Sequence, residues 1–319
     1  GEWKSPRIVP REPLKVDPAA LGLHYGQSVF EGLKAYRGTA DNRIRLFRPD
    51  RNAQRLAASC NRLCIPAPDP DQLIDWISSL VAVEAKWIPG KFGEALYIRP
   101  MIFATEGHLA VRPANQYTLV IVAAPVGQYF AQYGRPLRVK AEDRYTRAAS
   151  GGTGAAKTAG NYGATLKPMF EAASQGFDQI LWLDGDEHAF AEEAGQMNIF
   201  FRIGNEVITP ELSGTILPGV TRDSVLSLLK QWGIKAAARR ISMAELRKAA
   251  ESENLLEIFG AGTAAVVVPV DSIQYQDFDI RARPPSANSI SQRLFHSLLA
   301  IQHGQVDDTN NWIQFVDTE

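Results

Sequence analysis

Apolar residues recur along this chain with two different periods. Runs rich in β-branched and aromatic residues at 44–47, 95–103 and 117–126 read as strands in the first half. Helical spacing appears at 50–63 and 70–85. Asp50 stands where an N-cap is expected, its carboxylate able to accept from the first turn's N–H groups. Residues 127–136 are rich in turn formers and follow neither period, which predicts a linker. Beyond it, 137–141, 178–183, 197–203, 255–259 and 264–270 read as strands, and 162–174, 222–232, 243–251 and 289–303 as helices. The order is neither strict alternation nor strands followed by helices. It predicts an α+β protein of two domains: a smaller N-terminal one at 1–130, a linker at 131–136 and a larger one at 137–319.

Composition narrows the function classes. At 45% hydrophobic and 22% charged residues, this is an ordinary globular chain. Lys+Arg (34) and Asp+Glu (35) nearly cancel and do not cluster, which excludes the basic footprint of a nucleic-acid binder. No apolar run reaches the roughly 18 residues a membrane helix needs, so no membrane partner is expected. Cys60 and Cys64, spaced by four inside a predicted helix, read as two small buried hydrophobes. His24, His108, His188, His296 and His303 are scattered without ligand spacing, and no metal is expected. The opening Gly-Glu-Trp-Lys-Ser-Pro has no apolar signal core, so the cytoplasm is the expected compartment; a removed leader stays compatible with the missing Met.

One segment departs from this background. In Gly151-Gly-Thr-Gly-Ala-Ala-Lys157-Thr-Ala-Gly-Asn-Tyr162-Gly a lysine stands among residues with almost no side-chain bulk. A solvated lysine in a surface loop is the plainest reading. A P-loop is the second, with Ile180-Leu-Trp-Leu-Asp184 as the strand ending in a metal-binding acid. It fails at Ala156, where a glycine must let the backbone wrap a phosphate, and residues 142–150 do not read as a strand leading into the loop. The third reading is a Schiff-base lysine, which needs a crowded site and a depressed pKa to attack as a free amine.

A pyridoxal phosphate enzyme would also need a carboxylate for the pyridine nitrogen and a cup for the phosphate. Glu193, ahead of a Gly195 turn and an apolar strand, can supply the first. Leu217-Pro-Gly219-Val220-Thr221-Arg222 puts a glycine turn at a helix N-terminus, where backbone N–H groups and the dipole favour an anion. Gly260-Ala-Gly262-Thr263-Ala264 is a second small-residue turn with a hydroxyl.

Taken in order, these segments resemble the branched-chain amino acid aminotransferases, members of fold type IV of the pyridoxal-phosphate enzymes. Leu23-His-Tyr25-Gly-Gln-Ser-Val-Phe30-Glu-Gly-Leu-Lys-Ala-Tyr36, Gln54-Arg55-Leu56, Leu96-Tyr97-Ile-Arg99-Pro, Gly160-Asn-Tyr162-Gly, Glu193-Ala-Gly-Gln-Met-Asn198 and Leu217 to Arg222 follow the family's sequence from residue 23 to about 270. The resemblance implies a two-domain fold type IV architecture. It implies transamination between L-branched-chain amino acids (leucine, isoleucine, valine) and 2-oxoglutarate in amino-acid biosynthesis, and a homodimer or larger homo-oligomer. Lys157 then corresponds to the lysine of the internal aldimine and the proton shuttle, and Glu193 to the partner of the pyridine nitrogen. Glu192 is its outward-facing neighbour. Tyr162 would meet the cofactor's phenolic oxygen, and Arg55, Val220, Thr221 and Thr263 its phosphate. Phe30, Tyr97, Arg99 and Tyr129 would line the substrate pocket, with Arg99 receiving glutamate's carboxylate and Ala264 at the substrate carboxylate. Tyr25, Leu109 and Val111 would be lent by a neighbouring subunit.

Gln196 departs from the family's small residue or threonine near the substrate, which bears on the pocket's size and polarity. Fold type IV enzymes acting on D-amino acids or amines, a lyase acting on aminodeoxychorismate, and a preference for aromatic L-amino acids are the near alternatives. A nucleotide hydrolase and a non-catalytic binding protein are the remote ones.

Overall fold

The computed structural model describes residues 3–127, 135–284, 286 and 288–318. In chain order the first elements are α1 (Leu21–His24), β1 (Ser28–Phe30), β2 (Leu33–Arg37), β3 (Ile44–Phe47), α2 (Pro49–Arg62), α3 (Pro70–Val83), β4 (Ala95–Ala104) and β5 (Tyr117–Val126). Next come β6 (Leu137–Glu142), α4 (Ala159–Gly163), α5 (Leu166–Ser174), β7 (Gln179–Leu183), β8 (Ala191–Ala194), β9 (Met197–Ile203) and β10 (Glu206–Thr209). The last are α6 (Val220–Gln231), β11 (Lys235–Ala238), α7 (Met243–Glu251), β12 (Leu255–Gly262), β13 (Val266–Tyr275), β14 (Phe278–Arg281), α8 (Ile290–Gln302) and β15 (Ile313–Val316). Both classes of element are mixed throughout, and the fold is α+β.

The chain forms two compact units. One comprises Gly1–Gly127, Ala156–Gly160 and Ala300–Glu319; the other comprises Gln128–Ala155 and Asn161–Leu299. The units are therefore not continuous in sequence, unlike the division expected at 131–136, of which 131–134 lie outside the described residues. The C-terminal segment belongs to the first unit because β15 pairs antiparallel with β3, Ile313 opposite Phe47.

In the first unit a sheet runs β1-β4-β2-β3-β15, with β5 along β4. β1 and β2 both pair with β4, Phe30 opposite Met101 and Leu33 opposite Ile98, so the ladder is interrupted at Glu31-Gly32. The interruption has a cause in Pro100, which has no N–H to donate; its carbonyl instead accepts from the Glu31 N–H at 2.8 Å. The core gathers Val29, Leu33, Leu46, Leu96, Ile98 and Ile102 from the strands with Leu56 and Cys60 from α2 and Leu73, Ile77 and Val81 from α3.

Local chemistry corrects two expectations here and adds one cap. Asp50 lies inside the first turn of α2; the N-cap is Arg48 in the left-handed region (φ 51°), without a side-chain cap, and Pro49 opens the helix. Asp69 does cap α3, accepting from the N–H groups of Asp71 and Gln72 at 3.0 and 3.1 Å. Cys60 is buried, but Cys64 is exposed with φ 54°, beyond the helix end.

The second unit holds a sheet in the order β11-β10-β9-β12-β13-β6-β7-β8, with β14 on β13. β8 also pairs with β9, so the run from β9 through β12, β13, β6 and β7 to β8 closes on itself and leaves those strands no open edge. Leu137, Val139, Leu181, Leu183, Ile199, Phe201, Ile258 and Val270 form its core. The helix expected over 162–174 breaks in two, because the ring of Pro168 cannot follow the carbonyl of Ala164 within one helix. Glu257 on β12 caps α8, accepting from the N–H groups of Ile290 and Ser291 at 2.8 and 2.9 Å.

Candidate active site

The Lys157 segment is held as an added edge on β1. The Phe30 N–H donates to the Lys157 carbonyl at 3.0 Å, and the Thr158 hydroxyl to the Ser28 carbonyl at 2.7 Å. The Lys157 N–H donates to Ser59 Oγ at 2.9 Å, and Ser59 Oγ donates to the Arg55 carbonyl at 2.9 Å. The solvated-loop reading fails here, because the Lys157 backbone is bonded to β1 and to Ser59 of α2, and Thr158 bridges Val29. The Nζ of Lys157 lies 5.0 Å from the centroid of the Phe30 ring. Burial is the main cause that pushes its pKa down to about 8, and the Arg55 guanidinium adds to it, with Arg99 in the same direction; Glu31 and Tyr97 oppose.

Arg55 is buried on α2 and forms a two-pronged pair with Glu31, Nε to Oε1 at 2.7 Å and Nη2 to Oε2 at 2.9 Å. Arg99 packs its guanidinium over Phe30 (4.8 Å to the centroid) and donates to the Tyr97 hydroxyl at 3.0 Å. Its Nε is buried with no partner among the described residues. The Tyr97 hydroxyl comes so close to the interrupted strand that a Cβ on Gly32 would lie 2.0 Å from it. Lys157, Arg55, Phe30, Tyr97 and Arg99 thus form one cluster in the first unit. Tyr25, Leu109 and Val111, in the same unit, are exposed, and the Tyr25 hydroxyl donates to the Leu109 carbonyl at 2.5 Å. Tyr129 lies outside the described residues.

In the second unit Glu193 is buried on β8. Its Oε1 accepts from Asn198 Nδ2 at 3.1 Å and from the Leu217 N–H at 3.2 Å, and its Oε2 pairs with Arg147. Arg147 also donates to the Thr215 carbonyl at 3.0 Å and towards the Gly154 carbonyl at 3.4 Å. Glu192 is not the outward-facing neighbour expected. It is buried, its Oε1 accepts from the Thr215 hydroxyl, and burial raises its pKa to about 7.

The turn before α6 has the expected form. Gly219 is the N-cap, no side chain caps the helix, and Val220 and Thr221 open it. A Cβ on Gly219 would lie 1.9 Å from Asn198 Oδ1, so the residue that touches Glu193 also requires this glycine. Thr263 and Ala264 sit in the turn joining β12 to β13, and Tyr162 is on α4. Gln196 is exposed in the tight turn between β8 and β9, where Gly195 takes a φ of 58°.

Glu31, Asn52, Ser59, Arg147 and Asn198 were not singled out from the sequence. The signal available for Glu31 was an acid inside the otherwise apolar Phe30-Glu31-Gly32-Leu33 run. Arg147 carries none, because Glu193 and Thr215, which it meets, lie far along the chain.

The amino-transferase class IV family model matches residues 28–273. Branched-chain-amino-acid aminotransferase 2 of Bacillus subtilis is 46% identical over 310 residues, covering 97% of this chain and 85% of the relative. The chain belongs to the branched-chain-amino-acid aminotransferases of class IV. Solved structures agree with this aminotransferase fold. The Thermoproteus uzoniensis branched-chain aminotransferase with norvaline superposes with a TM-score of 0.82 at 25% identity, covering 98% of this chain and 97% of that one. The T.th. branched-chain amino acid aminotransferase with pyridoxamine 5'-phosphate gives 0.83 at 27% identity over 97% and 96%. The fold type IV architecture follows, and the nucleotide-hydrolase alternative finds no support. An aminotransferase acts on amino acids and 2-oxo acids. Among the described residues no helix is long and apolar enough to cross a membrane.

Proposed function

We propose that this aminotransferase exchanges the amino group between L-branched-chain amino acids and 2-oxoglutarate, using pyridoxal 5'-phosphate. The observation that carries the reading is Lys157, its amine depressed to about 8 within a cluster of Arg55, Phe30, Tyr97 and Arg99. A lysine so placed reaches its free, nucleophilic form at ordinary pH.

The residues fit the cofactor. The α6 N-terminus after Gly219, which no side chain caps, suits a phosphate, and Glu193 is paired with Arg147 and accepts from two further donors. When bound, pyridoxal phosphate supplies an aldehyde carbon for the exchange and a ring that takes up the electron pair released at the substrate α-carbon. Lys157 would be the residue that holds that carbon, and its Nζ, as a free amine, would carry the α-proton. In that reading Glu193 would meet the pyridine nitrogen, Tyr162 the phenolic oxygen, and Arg55, Val220, Thr221 and Thr263 the phosphate.

Phe30 and Tyr97 offer an apolar wall for a branched side chain. Arg99 at its edge, with a buried Nε lacking a partner among the described residues, serves the carboxylate of glutamate. Ala264 borders the substrate carboxylate, and Gln196 bears on pocket size. Tyr25, Leu109 and Val111, apolar and exposed, serve a second copy's site in a homodimer.

An absorbance spectrum of the protein with pyridoxal phosphate, before and after L-leucine, tests the proposal. A yellow band that bleaches with leucine is expected. A band that responds only to a D-amino acid, an amine or an aromatic L-amino acid would move the substrate, and no band at all would overturn the cofactor.

A further inference from the structure

Glu31 is 1% exposed, and the assignments above give it no role. It sits where β1 and β2 break, and its carboxylate collects four donors. Oε1 accepts from Arg55 Nε at 2.7 Å, and Oε2 from Arg55 Nη2 at 2.9 Å, Asn52 Nδ2 at 2.8 Å and the Gly32 N–H at 3.0 Å. Burying a carboxylate costs several kcal/mol before its partners offset it. A strand interruption that delivers an acid to this spot calls for a reason beyond packing.

The surroundings supply one. The residue before Glu31 is hydrogen-bonded to Lys157, and Ser59 links the main chains of Lys157 and Arg55. Two cations, buried Arg55 and half-buried Lys157, therefore share one cluster. The charged and titratable groups acting on Lys157 are Arg55 from α2, Tyr97 and Arg99 from β4, and Glu31. Without Glu31, Arg55 and Arg99 would both act on the lysine with no carboxylate among these groups to oppose them.

We propose that Glu31 is the positioning residue of this cluster, fixing the fork of Arg55 and supplying the negative charge against which Lys157 is set. This rests on the reading of Lys157 as the cofactor lysine and Arg55 as a phosphate ligand. A carboxylate in this place keeps the two cations together and prevents Arg55 from driving the lysine further from its ordinary ionisation. Its electrostatic direction agrees: Glu31 raises the Lys157 pKa while Arg55 lowers it.

The test uses the full chain free of cofactor. Competitive acetylation with acetic anhydride across a pH series, read by peptide mass spectrometry, gives the ionisation midpoint of Lys157, with exposed Lys167 as internal reference. Glu31→Gln is expected to move the Lys157 midpoint down by about one pH unit and leave Lys167 unchanged. If that variant does not fold, Arg55→Met and the Glu31→Gln/Arg55→Met double variant isolate the same effect, with the single variant's midpoint about one unit above the double's. Equal midpoints in whichever pair folds would overturn the proposal, because a purely structural Glu31 would lower thermal stability without touching the lysine. The readout needs no cofactor. A protein that fails to bind pyridoxal phosphate but shows the shift would sink the functional reading and keep this one; the reverse result would do the opposite.

Discussion

Each unit buries one glutamate–arginine pair among its chemistry-bearing residues, and the two pairs are used in opposite senses. In the first unit Arg55 is the proposed ligand and Glu31 holds it with a two-pronged contact, against a lysine. In the second, Glu193 is the proposed working group and Arg147 holds it, while the same guanidinium ties the carbonyls of Thr215 and Gly154. A planar guanidinium can serve either way because its donors are fixed in a fork that matches a carboxylate. Glu192, one residue from Glu193 and also buried, accepts from the Thr215 hydroxyl instead, and its carboxyl is pushed up to about 7. Burial is the largest cause; the neighbouring Glu193 charge adds to it, while Thr215 and the Arg147 charge oppose it.

Removing the lysine should have the largest effect. Lys157→Ala is expected to lower turnover by at least about a thousandfold, the scale of losing an oriented proton carrier, and to abolish the covalent cofactor link. Steady-state assays and the absorbance band check both, and comparable activity would break the assignment. Next in size, Glu193→Gln should lower turnover about a hundredfold while changing cofactor affinity far less. A drop confined to affinity would put Glu193 among phosphate or packing residues instead.

Arg147→Met probes the same pair from the other side. It leaves Glu193 buried without its cation, and denaturant unfolding should show a loss of about 3 kcal/mol. A variant as stable as the parent would mean that Asn198 and the Leu217 N–H suffice to hold the carboxylate. The smallest effect concerns Glu192. Its folded pKa of about 7 lies above its ordinary 4.5, so the folded state binds the extra proton and stability falls as pH rises between these values. Glu192→Gln should flatten that slope in unfolding measurements from pH 5 to 7; an unchanged slope would assign it to another group.

Several elements are legible from residue pattern alone. The strands Tyr117–Val126 and Met197–Ile203 and the helix Met243–Glu251 match their predicted spans, because their apolar periodicity is local and long enough to be unambiguous. The glycine turn ahead of α6 is legible for the same reason. The strands Ser28–Phe30, Ala191–Ala194 and Lys235–Ala238 are not. They are short, carry polar residues and owe their existence to ladder partners far along the chain.

The residue types that chemistry requires, Lys157 among small neighbours, Glu193 before a turn and Arg55 on a helix, are written in the sequence, and so is the order of motifs that marks the family. Tertiary structure decided which of them share an electrostatic environment. Nothing local tells that Glu31 faces Arg55 across 24 residues, that Arg147 reaches Glu193, or that Glu192 is buried. The interruption at Glu31-Gly32 opposite Pro100 sets the first of these, and a charge's ionisation depends on what lies within a few ångströms in space, wherever that neighbour falls along the chain.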